Sequence, residues 1–289
     1  MADAVHSRDH TIVTMGEPQS NHARLAAAAA KRLGLHIIII IAGRRPKRFE
    51  GNLLLCDLLG AELRFADWSR HSGVVEHTIK ALEQAGHSTY LLPFGGSTAL
   101  ACVAYFNTAI ELLLQAQSLG IEIGHIAHAS ASGGLQTGLT LGIKALGSCA
   151  TVLGIASSKH SDALVRRKAN DVGNDLSRLL HIDLTIRAED MCLFDHFSPS
   201  NSTLSADSSE IMGAIELVAQ TEGILLDPEY TGKAMAVLLN LIRSDYFSKN
   251  ENVIFIHTGG IPALFTQTAH GSLPFVSRIK DLYRQYRPA

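Results

Sequence analysis

The sequence predicts an α/β protein in which β-α units build a parallel sheet covered by helices on both faces. Three observations carry that expectation. Short runs of valine, isoleucine and leucine alternate along the chain with longer segments of helical periodicity. One such run, residues 37–41, is isoleucine throughout, as expected for a strand buried on both sides. A chain of 289 residues, 46% hydrophobic and 18% charged, is also long enough to bury a sizeable core in one large or two small domains.

Taken in order, residues 11–14, 36–42, 62–65 and 89–92 read as strands, with helices between them at 23–33, 51–59 and 74–85. The alanines at 26–30 favour helix and need no functional account. A second series opens with a long amphipathic helix at 99–118, followed by strands at 125–129 and 150–155 and helices at 134–145 and 161–180. The Ser- and Asp-rich stretch 198–209 reads as a surface loop. Beyond it come helices at 209–221 and 231–244 and a strand at 253–257. The new set of strands after residue 99 divides the chain into a small α/β domain over 1–100 and a larger one over 101–289. The cleft between the two is the expected ligand site.

Composition excludes several classes of function. Lysine and arginine number 25 against 27 acidic residues, a net charge of −2, and the basic run at 44–48 is short, so no nucleic-acid partner is expected. Residues 1–10 have no apolar stretch after their first charges, and 37–41 is too short to span a bilayer. A cytoplasmic protein with no membrane partner is expected. Cys56, Cys102, Cys149 and Cys192 form no C-x-x-C pair, so reduced thiols are expected rather than disulfides. His125 and His128 do not share a strand face and no H-E-x-x-H occurs, which argues against a metal site. Nor is there a G-x-S-x-G nucleophile elbow.

Polar segments at element ends carry the candidate chemistry. Residues 16–24, containing Gln19, Ser20, Asn21, His22 and Arg24, sit between a strand and a helix, at the carboxyl end of the sheet where α/β proteins bind ligands. Ser20 or Asn21 fits two readings there: a helix N-cap, or a holder of an anionic ligand together with the helix N-terminus. Residues 129–138 form a small-residue loop before a helix. Its amides, its paired glycines Gly133 and Gly134, and the hydroxyls of Ser130 and Ser132 can cradle a phosphate, and a plain strand-to-helix turn is the other reading. Tyr230, in Asp227-Pro228-Glu229-Tyr230-Thr231, is a candidate acid, base or stacking group, and Thr258 a partner for a heterocyclic nitrogen. A core tyrosine and a turn threonine are the alternatives.

In this order the segments resemble the fold-type-II pyridoxal-phosphate (PLP) family that contains D-cysteine desulfhydrase, 1-aminocyclopropane-1-carboxylate (ACC) deaminase and cysteate sulfo-lyase. Residues 19–24 are similar to its Q-S-N-H/Q-x-R, 51–55 to its G-N-L-L-L and 59–62 to its L-G-A-E; residues 93–97 and 222–228 match as well. The resemblance implies two open, twisted, mostly parallel sheets covered by helices, PLP as cofactor, a small amino acid as substrate and a homodimer. It casts Ser20 and Tyr230 as catalytic residues beside the substrate, and Asn21 as the partner of the cofactor's phenolic oxygen. Ser130, Ser132, Gly133, Gly134, Gln136, Thr137 and Gly138 would surround the phosphate, Thr258 would face the ring, and His22 and Thr231 would touch the substrate. Thr231 and Thr258 stand where the family's desulfhydrases carry small hydroxylated residues, which implies β-elimination to pyruvate, ammonia and sulfide; ACC deamination is the alternative.

The chain departs from the family at three places. The Schiff-base lysine belongs to a G-N-K-x-R-K segment ahead of the region where this chain begins; no such segment occurs, so an N-terminal truncation relative to the family is expected. The tyrosine of G-P-G-Y-G falls near 198–202, where there is none, and the phosphate-loop threonine is Leu135. These departures leave a non-catalytic paralogue as a reading of another class.

Overall fold

The computed structural model describes residues 1–7, 10–158, 161–194 and 208–266. Two four-stranded parallel sheets organise them, as expected. The first joins β1 (Thr11–Gly16), β2 (His36–Ala42), β3 (Glu62–Ala66) and β4 (Thr89–Leu92) in the order β3-β2-β1-β4. Around it lie α1 (Ala2–His6), α2 (Asn21–Arg32), α3 (Gly51–Leu58) and α4 (His71–Gln84). The second sheet joins β5 (Ile123–Ser130), β6 (Thr151–Ala156), β7 (Cys192–Phe194) and β8 (Asn252–Ile256) in the order β7-β6-β5-β8. Its helices are α5 (Ala99–Ser118), α6 (Gly134–Ala145), α7 (Ser161–Lys168), α8 (Asn174–Leu179), α9 (Ser208–Glu222) and α10 (Thr231–Arg243).

The isoleucine run explains itself in β2. Ile37, Ile39 and Ile41 pack with the buried alanines of α2, while Ile38 and Ile40 point to the other face and meet Val75 of α4. A strand sandwiched between helix layers needs apolar side chains in both directions. The alanines at 26–30 therefore do more than favour helix: Ala26, Ala27 and Ala30 let α2 lie close on the sheet. In the second sheet Ile126 packs on the α5–α6 side, and Ala127, Leu153 and Ile155 face α10.

Several expectations need correction. The helix expected over 161–180 is broken by a π-turn at Ala169–Gly173, where a side chain on Gly173 would come 2.9 Å from Ile186 Cβ. β7 and α1, only three and five residues long, have no periodicity to read. Most of the loop expected at 198–209 lies outside the described residues, as do residues 198–202; α9 begins at Ser208. α5, by length and composition alone, is apolar enough to cross a membrane. Here it packs along α6: a Cβ on Gly138 would lie 2.6 Å from Tyr105 Cβ and one on Gly142 2.5 Å from Ala109 Cβ. Gly138, a phosphate residue by the resemblance, sits at this helix contact.

Chain direction sets where a ligand can bind. β1 is flanked by β2 on one side and β4 on the other, and β5 by β6 and β8. Each is the point where strand order reverses, and crevices open at the carboxyl ends of such strands. After β8 the chain returns to the first sheet: a Cβ on Gly51 of α3 would come 2.9 Å from Pro262 O.

Candidate active site

The ends of β1 and β5 face one cleft with about 820 Å³ of space that opens to solvent. Ser20, Asn21 and His22 line it from the first sheet; Ser130, Ser132, Gly133, Tyr230 and Thr258 line it from the second.

On the first side Ser20 is the N-cap of α2, its Oγ accepting from Ala23 N at 3.1 Å, while it also borders the cleft. The helix N-cap reading of this serine holds, and its place on the cleft wall leaves it within reach of a ligand. Asn21, the first helical residue, is held by Asn52, whose Nδ2 donates to Asn21 Oδ1 at 2.8 Å. Thr14 Oγ1 donates its single proton to Leu92 O at 2.9 Å, so at the 3.0 Å contact between Thr14 Oγ1 and His22 Nε2 the imidazole must be the donor. Burial lowers the His22 pKa to about 4. His22 is therefore a neutral ring with its proton on Nε2 and a bare Nδ1 against Gly96, where a Cβ would lie 3.0 Å from Nδ1.

On the second side the loop after β5 ends at Gly133, whose φ of 88° and close contact with Val165 Cα, 2.9 Å from a would-be Cβ, exclude a side chain. Gly134 then opens the 12-residue helix α6, whose free first-turn amides point at the cleft end. Ser132 Oγ lies 2.8 Å from Ser97 Oγ, and a side chain on Gly95 would run into Ser132. The Gly95–Ser97 segment is thus clamped on the loop before α6. Lys168 Nζ donates to Ser97 O at 2.9 Å; burial, then Arg167, lowers the pKa of this lysine.

Several of the expected side chains are buried. Ser130 Oγ, buried, donates to Gln136 Oε1 at 2.9 Å, and Gln136 Nε2 donates to Cys192 O at 2.7 Å, so Gln136 ties α6 to the sheet. Thr137 is fully buried. Neither it nor Gly138 is in the lining; Gly134 is not either, and only its backbone amide, in the first turn of α6, is placed toward the cleft end. Thr231, expected beside the substrate, is also fully buried: its hydroxyl donates to Asp227 Oδ2 at 2.5 Å and accepts from Asp227 N at 2.9 Å. Asp227 in turn accepts from the amides of Glu229, Tyr230 and Thr231 at 2.9, 2.7 and 3.0 Å. These bonds fold the turn 227–231 just ahead of α10, whose N-cap is Tyr230, and Tyr230 faces the cleft. Burial, and then Glu17, Glu229 and Asp227, push the Tyr230 pKa well up, so its phenol stays protonated and can donate.

Glu17, Phe94, Gly95, Ser97 and Tyr105 line the cleft without having been singled out. Pro93–Ser97 carried a motif signal but no role; Tyr105, in mid-helix, carried none. Leu135 also lines it, with an apolar surface. Among the described lining residues there is no lysine; Lys233 borders a second pocket that shares Glu17, Phe94, Ala131 and Tyr230 with the first.

A helix N-terminus, a fixed amide and a neutral phenol face one another across this cleft. A model of the pyridoxal-phosphate dependent enzymes matches residues 1–259. The D-cysteine desulfhydrase of Klebsiella pneumoniae subsp. pneumoniae is 35% identical over 278 residues, covering 93% of this chain and 82% of the relative. A crystal structure of an ACC deaminase homologue superposes with a TM-score of 0.81 at 29% identity, covering 94% of this chain and 81% of that one. A mutant of O-ureido-L-serine synthase, at 15% identity and a TM-score of 0.65 over 100% of this chain and 84% of its own, shares the fold. On the match over residues 1–259 and these relatives together, this chain belongs to the family of pyridoxal-phosphate dependent enzymes.

Proposed function

We propose that this chain is a PLP-dependent lyase of the D-cysteine desulfhydrase type, releasing sulfide, ammonia and pyruvate from a small amino acid. The observation that carries it is the convergence on one cleft of the α6 N-terminus, Asn21, Ser20 and Tyr230. These residues fit the cofactor: the amides of α6 and Ser132 suit its phosphate, and the amide of Asn21 suits a ring oxygen. PLP supplies the electron sink for the negative charge that develops when the substrate's Cα proton leaves. Around it Ser20, and Tyr230 as a protonated phenol, offer hydrogen bonds to the substrate. His22, neutral, keeps Nδ1 as an acceptor on the same side. Thr258 adds a hydroxyl to the lining, and by the resemblance a small hydroxylated residue at this place goes with the desulfhydrase rather than the deaminase reading. The ACC deaminase homologue's fold keeps the second reaction in the test, and the lysine-free lining keeps a third outcome, binding without turnover.

Purified protein mixed with PLP is assayed for pyruvate from D-cysteine and for 2-oxobutyrate from ACC, and a borohydride-reduced sample is digested to find any modified lysine. Pyruvate from D-cysteine is the expected result; 2-oxobutyrate alone makes the chain a deaminase, and binding with neither product makes it a non-catalytic member. We further propose a cytoplasmic homodimer, to be checked by light scattering and cell fractionation, with residues 1–100 and 101–289 as the two units that enclose the cofactor.

A further inference from the structure

Asn52 stands outside the cleft lining, is fully buried, and has each polar group of its side chain bonded. The polarity of these bonds is fixed by their partners. Arg24 Nε can only donate, so the atom it meets at 3.1 Å is Asn52 Oδ1; Gln19 O can only accept, so the atom 3.0 Å from it is Asn52 Nδ2. Gln19 is oriented in the same way, with Oε1 accepting from Asn52 N at 2.9 Å and Nε2 donating to Glu50 O at 3.1 Å. Asn52 Nδ2 has one proton left, and it goes to Asn21 at 2.8 Å, which must therefore present Oδ1 to it. Turning the Asn21 amide over would set two N–H donors against each other in a buried place and leave both unpaired. Asn21 Nδ2 has no hydrogen-bond partner among the described residues, and Asn21 lines the cleft.

We infer that Asn52 is a positioning residue that sets the polarity of Asn21, so that the cleft offers an N–H donor, and never an acceptor, to the ring oxygen of bound PLP. The inference rests on the proposed function for the identity of the ligand. Its chemical content is selectivity: a ring whose oxygen at that place is a phenolate or a carbonyl is accepted, and one bearing only a donor is refused. Gln19 and Arg24 serve the same end by holding Asn52, which gives the Gln19–Arg24 and Gly51–Leu55 stretches one shared task across two helices.

The test uses 4-deoxypyridoxine 5'-phosphate, which has the phenol and the phosphate but no aldehyde, so it cannot bond covalently to stray lysines. Asn52→Asp keeps the size and the acceptor for Arg24 but replaces the donor beside Asn21 with an oxygen, and the Asn21 amide turns over. Calorimetry should find the affinity for this probe reduced roughly tenfold or more, as for loss of a hydrogen bond to a charged oxygen. Competition by inorganic phosphate should be unchanged, and the absorbance of the bound probe should shift toward its protonated phenol. In an Asn21→Ala background the Asn52→Asp change should have no further effect, because it acts through Asn21. Equal probe affinity for Asn52→Asp and the parent, or losses that simply add in the double variant, overturn the inference. Should Asn52→Asp fail to fold, Arg24→Met frees the Asn52 amide and should lower probe affinity severalfold; no loss overturns the inference as well. A parent protein that takes up no probe sinks the proposed function and this inference with it, whereas uptake unaffected by the substitutions sinks this inference alone.

Discussion

Two histidines, His22 at the cleft and His128 inside β5, are defined by what burial does to their protons. His22 and His128 both have pKa values lowered to about 4 from 6.5, chiefly by burial. An unfolded chain takes up both protons near pH 6.5 and the folded one only near 4, so in that window the unfolded state binds more protons. The stability these neutral rings represent is complete above pH 6.5 and drains away as pH falls toward 4. Urea midpoints measured between about pH 7 and about pH 5 should fall on the acid side, and His22→Gln should flatten that fall; a parallel loss in both proteins would assign it elsewhere. Gly95 is the other sensitive position, since its φ is 67° and its would-be Cβ collides with Ser132. Gly95→Ala should displace Ser132 and weaken inorganic phosphate binding severalfold, read by calorimetry, while backbone strain costs about 1 kcal/mol of stability.

Among the elements, α10 shows where reading a sequence stops. Thr231 follows Tyr230 in a motif, and a linear pattern does not say whether its hydroxyl faces a ligand or the turn ahead of its own helix. Asp227, four residues earlier, was the available turn signal, and the structure has both residues bonded to each other. Thr231→Val should therefore cost roughly 1–2 kcal/mol in urea unfolding, as for a lost buried hydrogen bond, and leave the KM for D-cysteine almost unchanged. A large KM increase at unchanged stability would restore the substrate role. The strands with strong apolar runs were legible because a two-sided strand needs such runs, as Ile37 to Ile41 illustrate. β7 was not, for Cys192, Leu193 and Phe194 are too few to show a period. At the cleft, Ser20 and Tyr230 stood out as polar groups at element ends. Gln136 and Thr137 did too, yet helix rotation turns them inward, and rotation depends on packing that a loop motif does not encode.

At the scale of the whole molecule, the two sheets are joined through the 93–98 segment, and Lys168 anchors it from α7. Lys168→Met should loosen Ser97 and with it Ser132, lowering phosphate affinity severalfold; Lys168→Arg, which restores the donor and charge, should recover much of it in the same titration. The overall architecture was readable from alternation of strand and helix. The order of strands was not, because β4 and β8 cross back beside β1 and β5 through contacts far apart in sequence. The return of Pro262 to Gly51 has a practical meaning for dissecting the protein. Residues 1–98 contain every strand of the first sheet, yet a gene cut at that point would leave the surface around Gly51 and Leu54 bare, since its covering comes from Ile261, Pro262 and Phe265. Such a fragment should aggregate when produced alone and become soluble when co-expressed with residues 99–289, making the chain a natural candidate for split-protein complementation.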